Sequence, residues 1–269
     1  MPEAKASETS VRDNIVAARR RLEHALQNAR RSNDAAQLLA VSKTKPAGMV
    51  RAAFEAGQRQ FGENYLQEAL DKQDALADLD IIWHFIGPLQ SNKTRAVAEH
   101  FAWVHTIDRA KIATRLNDQR PATLAPLNVC LQVNVSGEAS KAGIAPEALE
   151  ALAEHVIAQP NLRLRGLMTI PAPAETHEAQ RRPLRLLREL LERLRARYPT
   201  LALDTLSMGM SSDLEAAIEE GATLVRLGTA IFGARDYTGS AASPRDATPS
   251  NGPPADTKRQ HDDGPERKD

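Results

Sequence analysis

A lysine at the end of an apolar wall is the first feature of this chain that could do chemistry. Leu38-Leu39-Ala40-Val41-Ser42 runs without a break into Lys43, and Pro46 then ends the extended stretch. Side chains alternate along a strand, so Leu39, Val41 and Lys43 share a face. If that face is buried, desolvation lowers the ammonium pKa and frees an amine that attacks carbonyls. If it is open, the side chain snorkels to water. Two small-residue loops far along the chain could hold an anion. Ser207-Met208-Gly209-Met210-Ser211-Ser212-Asp213 places Ser212 and Glu215 at capping-box spacing, which predicts a helix whose first amides face the loop. Arg226-Leu227-Gly228-Thr229 offers close backbone approach at Gly228 and a hydroxyl at Thr229.

These groups act together only if the intervening elements bring them together. Ser10 to Arg31 reads as an amphipathic helix, with Ser10 and Asp13 resembling a capping box. After the Lys43 strand, apolar or mixed runs at 60–61, 81–86, 103–107, 127–135, 162–170, 203–207 and 223–227 read as strands. Helical stretches fall between them at 48–56, 91–100, 109–119, 146–158, 179–198 and 213–219. In the helix over 179–198, Leu184, Leu187, Leu191 and Leu194 form the inner stripe and Pro183 limits its start. Eight alternating units predict a single (β/α)8 barrel of the TIM type, preceded by an extra helix. The expected layout is a flexible N-terminus over 1–9, the barrel over 10–237 and a disordered polar tail over 238–269, where alanine is the only apolar residue type.

Composition removes several function classes. Lys+Arg and Asp+Glu both number 35, so no net charge draws the chain to nucleic acid or an acidic membrane. The arginines between Arg181 and Arg197 are interleaved with Glu189 and Glu192, as on a solvated helix face. Cys130 is the single cysteine and sits in an apolar run, which reads as a buried inert thiol. Without a leader-like or membrane-length apolar run, the expectation is a cytoplasmic protein.

In a barrel of this type the working face lies at the C-terminal ends of the strands, with phosphate commonly held after strands seven and eight. Closure makes the first and eighth strands neighbours, so Lys43 and Arg226 would meet in one mouth beside both small-residue loops. An amine, a guanidinium and a phosphate cradle suggest pyridoxal 5'-phosphate, with lysine forming a Schiff base and arginine facing the pyridine nitrogen. A guanidinium keeps its proton, leaving that nitrogen unprotonated and the ring a weaker electron sink. The alternative is a buried Arg226 paired with a carboxylate such as Glu63 or Asp204.

The strings Ala40-Val41-Ser42-Lys43-Thr44-Lys45-Pro46, Phe61-Gly62-Glu63-Asn64-Tyr65, Trp83 to Lys93 (WHFIGPLQSNK), Ser207-Met208-Gly209-Met210-Ser211 and Arg226-Leu227-Gly228-Thr229 resemble the YggS/PROSC family of pyridoxal phosphate homeostasis proteins. The resemblance runs from the first helix to Tyr237 and leaves the tail outside. It implies a barrel similar to the alanine racemase N-terminal domain, with the cofactor on Lys43, Asn64 beside it, Arg226 at its ring nitrogen, and Ser211, Gly228 and Thr229 on its phosphate. His84 lies in a matching string and reads as a satisfied core histidine, while Lys45, Lys93 and Lys141 are candidates for a basic rim.

No catalytic and no metal-ligating residue is expected. A racemase needs a base on each face of the substrate, and none of Tyr65, Tyr198 and Tyr237 is an evident second one. In alanine racemase that base comes from a second domain, for which the polar tail is no substitute. The expected function is therefore a non-catalytic carrier or buffer of pyridoxal phosphate, acting as a monomer, with cofactor-dependent apo-enzymes as recipients. The alternatives are a weak amino-acid racemase, a sugar-phosphate barrel enzyme with Lys43 as its Schiff-base lysine, and a pure interaction protein.

Overall fold

The structure, a computed structural model, describes residues 2–138 and 141–234, and residues 2–9 only as backbone. Tyr237 and the tail expected over 238–269 lie outside the described residues. Eight parallel strands close in sequence order into the expected barrel. They are β1 (Gln37–Val41), β2 (Gln60–Glu63), β3 (Ile82–Phe85), β4 (Trp103–Ile107), β5 (Leu127–Gln132), β6 (Leu162–Met168), β7 (Thr205–Ser207) and β8 (Leu224–Leu227). The helices are α1 (Pro2–Asn28), α2 (Ala47–Glu55), α3 (Leu66–Ala75), α4 (Thr94–His100), α5 (Ala110–Gln119), α6 (Leu149–Ile157), α7 (His177–Arg197), α8 (Leu214–Glu219) and α9 (Thr229–Phe232). β1 pairs with β8 in a register that sets Leu39 opposite Arg226 and Ala40 opposite Leu227.

Alternation divides each strand between two cores. Outward-facing Leu38, Ala40, Phe61, Phe85, Val104, Val129, Leu131, Val225 and Leu227 pack against the helices. The predicted stripe of α7 (Leu184, Leu187, Leu191 and Leu194) is fully buried there, each leucine stabilising by about 1.5–3 kcal/mol. Inside the barrel, Leu39, Ile86 and Leu224 form a small apolar cluster with Val41 against it. Beside it the lumen is polar: His84, His105, Ser207 and Arg226 are all buried.

The starts of α1 and α7 differ from expectation. α1 begins at Pro2, well before Ser10, so Ser10 and Asp13 lie within the helix and do not cap it. α7 begins at His177 with Thr176 as its cap, its hydroxyl accepting from the N–H of Ala179, so Pro183 lies inside the helix and does not limit its start. Its arginines are more engaged than a merely solvated face would be. Arg181, Arg185 and Arg188 converge on Glu220, which is buried at the end of α8. α1 lies across α2, α8 and α9, held by a two-pronged bond from Arg21 to Glu215 (2.7 and 2.7 Å) and by Asn14 Nδ2 donating to the Ile231 carbonyl (2.9 Å).

Candidate functional site

The C-terminal ends of four consecutive strands, β7, β8, β1 and β2, carry the predicted site residues. Ser42 N–H still donates to the Gly62 carbonyl (3.0 Å), so strand pairing reaches one residue past β1, and half-buried Lys43 comes next. The turn that follows is pinned from behind the barrel wall. Lys72 on α3 is buried and donates to Ser42 O (2.6 Å), Glu63 (2.7 Å) and Glu68 (2.6 Å). Ser42 Oγ donates to the same Glu63 oxygen (2.6 Å), and Glu68 also accepts from the N–H of Thr44. Thr44 has φ of 61°, a left-handed conformation rare for a β-branched residue, so the turn is held against its own preference. Burial raises the pKa of Glu63, with Lys72 and Ser42 pulling the other way.

Arg226 projects into the lumen from β8. Its guanidinium donates to Ser207 Oγ (2.9 Å) and to the Thr169 carbonyl (2.8 Å). No described carboxylate makes an ion pair or hydrogen bond with it: Glu63 belongs to Lys72 and Asp204 to Arg165, so the alternative pairing is overturned. Burial lowers the Arg226 pKa to about 10. A charge so placed is costly unless a further polar partner meets it.

Asn64 follows β2, and its Oδ1 is buried without a hydrogen-bond partner. Its backbone is fixed by Gly87, where an added Cβ would lie 2.1 Å from Asn64 O. At the corner after β7 and β8 the predicted capping box does not form. Asp213, not Ser212, is the N-cap of α8; its Oδ1 accepts from Met210 N–H (2.6 Å), while Glu215 is taken by Arg21. Ser211 is exposed on that loop. Gly228 lies against Val41, where a Cβ would approach Val41 O to 3.2 Å, and it caps α9, whose first residue is Thr229. The Gly228 carbonyl accepts from the Ile231 and Phe232 N–H groups, which opens that turn.

The rim candidates differ in surroundings: Lys141 is half-buried after β5. Lys45 is buried and donates to the Ala234 carbonyl, whereas Lys93 is exposed at the start of α4. His84 is indeed a core histidine, but its Nε2 has no partner, so it is not a satisfied one.

Residues 18–236 match the alanine racemase N-terminal domain family. The chain is 64% identical over 229 residues to the pyridoxal phosphate homeostasis protein of Pseudomonas aeruginosa, a match spanning 85% of this chain and 97% of that one. The chain belongs to this family. Its fold matches a structure titled as PipY of Synechococcus elongatus with PLP bound, at TM-score 0.70 and 39% identity, covering 79% of this chain and all of that one. It also matches the fold of Corynebacterium glutamicum alanine racemase, at TM-score 0.65 and 18% identity over 83% of this chain and 62% of the racemase.

Within this family fold, sequence reasoning missed the groups that support the site. Ser207 stood in a quoted string without a role, and the Thr169 carbonyl that holds Arg226 has no side-chain signature. His105 was legible as a polar residue two places after Trp103 on a buried strand. Lys72 was legible only as an i,i+4 partner of Glu68, a spacing common on exposed helices.

Proposed function

We propose that this chain binds pyridoxal 5'-phosphate in the C-terminal mouth of its barrel and serves cofactor homeostasis as a non-catalytic carrier or buffer. The observation that carries the reading is the buried Arg226 guanidinium, unpaired with any described carboxylate, on the strand next to that of Lys43. The cofactor's aldehyde condenses reversibly with an amine, and here Lys43 would hold it as a Schiff base. Arg226 would donate to the ring nitrogen, the unpartnered Asn64 Oδ1 would gain a polar neighbour, and Ser211, Gly228 and Thr229 would take the phosphate. The PLP-bound PipY structure and the name of the Pseudomonas relative support the same reading.

Two features favour holding over turnover. A guanidinium that keeps its proton leaves the ring a weak electron sink. Neither described tyrosine is placed as a second base: Tyr65 opens α3 and is 52% exposed, while Tyr198 ends α7 beside Arg197. We read the protein as cytoplasmic and monomeric, passing cofactor to apo-enzymes; no described helix is long and apolar enough to cross a membrane.

The test is the absorption spectrum of the purified protein, followed by borohydride reduction and peptide mapping. The expected result is a yellow band, with the pyridoxyl adduct on Lys43 and no band in Lys43→Ala. A protein that stays colourless with added cofactor would overturn the binding. Steady exchange of an amino-acid α-proton, lost in Lys43→Ala, would overturn the carrier role and favour a racemase.

A further inference from the structure

The backbone that carries Lys43 has a conformation its own residues do not favour. Residues 42–45 form a β-turn closed by the N–H of Lys45, which donates to the Ser42 carbonyl (3.1 Å). Lys43 holds the second place of that turn and Thr44 the third, where φ is 61°. A positive φ at the third place alone is the pattern of a type II turn, which favours glycine or asparagine there. Thr44 is β-branched, and the type I turn that suits it keeps φ negative at both central places. The two forms differ by reversal of one peptide group, that between Lys43 and Thr44.

Both ends of the turn are fixed. The Ser42 carbonyl accepts from Lys72 Nζ (2.6 Å) as well as from Lys45, which uses both of its lone pairs. Lys45 is buried, the Ala234 carbonyl accepts from its ammonium, and Pro46 biases it toward extended backbone. The central peptide is left to Glu68, whose Oε1 accepts from the N–H of Thr44 and from Lys72 Nζ (2.6 Å). Reversal of that peptide would aim the Lys43 carbonyl oxygen at the same carboxylate, oxygen against oxygen. Glu68 thus favours the form that Thr44 resists.

The consequence falls on Lys43. Between the two forms ψ at the second place of the turn changes by about 150°. The rotamers open to a side chain depend on its backbone angles, so this one peptide sets how the Lys43 amine is presented. Strain held in place by surrounding groups is a mark of functional turns.

We propose that Glu68 is a positioning residue for Lys43: it holds the Lys43–Thr44 peptide in the type II form and so presents the amine for condensation. The inference rests on the reading of Lys43 as the Schiff-base lysine. In that reaction the ammonium proton passes to solvent, the Lys43 nitrogen joins the aldehyde carbon and one water leaves; Glu68 takes no part in the bond changes.

Two measurements test it. In apo-protein, the NOE between the Thr44 amide and its own Hα reads the sign of φ, strong when positive and weak when negative, and needs no pyridoxal phosphate. In protein mixed with pyridoxal phosphate, stopped-flow absorbance reads how fast the yellow band appears. Glu68→Ala removes the acceptor, so it should lose the strong NOE and slow the band by about threefold to tenfold, as for one lost hydrogen bond. Glu68→Gln keeps an acceptor oxygen and should match the wild type in both. Adding Thr44→Gly to Glu68→Ala should restore the rate, because glycine takes a positive φ without steric cost. A strong NOE or an unchanged rate in Glu68→Ala would overturn the proposal while the Lys43 reading stands. A slow Glu68→Ala that Thr44→Gly does not restore, or a Glu68→Gln as slow as Glu68→Ala, would place the effect in the charge beside Lys72 and overturn it too. A wild-type protein that forms no band would overturn the reading of Lys43, and the proposal with it.

Discussion

At the residue scale, the Lys43 turn depends on the buried ion pair of Lys72 and Glu63. Lys72 neutralises Glu63 and also fixes the Ser42 carbonyl, so it stabilises the residue next to Lys43 directly. Lys72→Met leaves Glu63 buried and uncompensated, which should cost about 3–5 kcal/mol, measured as a lower urea midpoint. The second change Glu63→Gln should recover a large part of that loss, because the unpaired charge is then gone. If the two losses simply add, the pair is not the coupled unit that its geometry describes. Burial already raises the Glu63 pKa, so removal of Lys72 should raise it further. The Lys72→Met protein should therefore regain stability as pH falls toward the carboxylate range, opposite to the usual behaviour of a paired acid.

At the element scale, α1 reaches the corner proposed for the phosphate although it lies outside the barrel. It bonds α9 through Asn14 and Ile231, and α9 begins at the Gly228–Thr229 corner assigned to the phosphate. Asn14→Ala should lower stability by about 1 kcal/mol. If that bond is fully expressed at the corner, cofactor release to an acceptor apo-enzyme should quicken by at most about fivefold, read by stopped-flow absorbance. Unchanged release would confine α1 to packing. How much of this was legible varies with the kind of signal. The strand–helix alternation followed from periodicity, and β4 matched residue for residue although His105 and Thr106 interrupt its apolar run. The bounds of α1 and α7 were misread because Ser10–Asp13 and Pro183 imitate helix starts while the surrounding apolar stripe continues. Lys43, Arg226 and Gly228 could be singled out from strand alternation and loop composition and Asn64 only from the family resemblance; all four lie at or near the C-terminal ends of β1, β2 and β8. The contacts that hold them were not legible: Thr169 acts through its carbonyl, and Asp213 replaced Ser212 because its carboxylate reaches back to Met210.

At the scale of the whole molecule, the polar lumen makes stability depend on pH in a defined direction. His84 and His105 are neutral and fully buried, and burial depresses both pKa values, that of His84 to about 3. The unfolded chain takes up protons near the ordinary histidine value of about 6.5, whereas the folded chain does not. Stability from these groups is therefore present above that pH and lost as pH falls below it. At pH 5, His84 alone should cost about 2 kcal/mol relative to pH 7.5, and His105 adds to the loss in the same sense. Glu63 and Asp213 act against it, because burial raises their pKa values and the folded state gains from protonating them first. The two effects are separable by where they begin: the histidine loss starts just below pH 6.5, above the carboxylate range. Urea midpoints at pH 7.5, 6.5 and 5.5 should fall with increasing slope, and His84→Gln should flatten that slope while lowering the baseline. A midpoint constant across that interval would mean that the folded chain takes up protons at the lumen histidines as readily as the unfolded chain does.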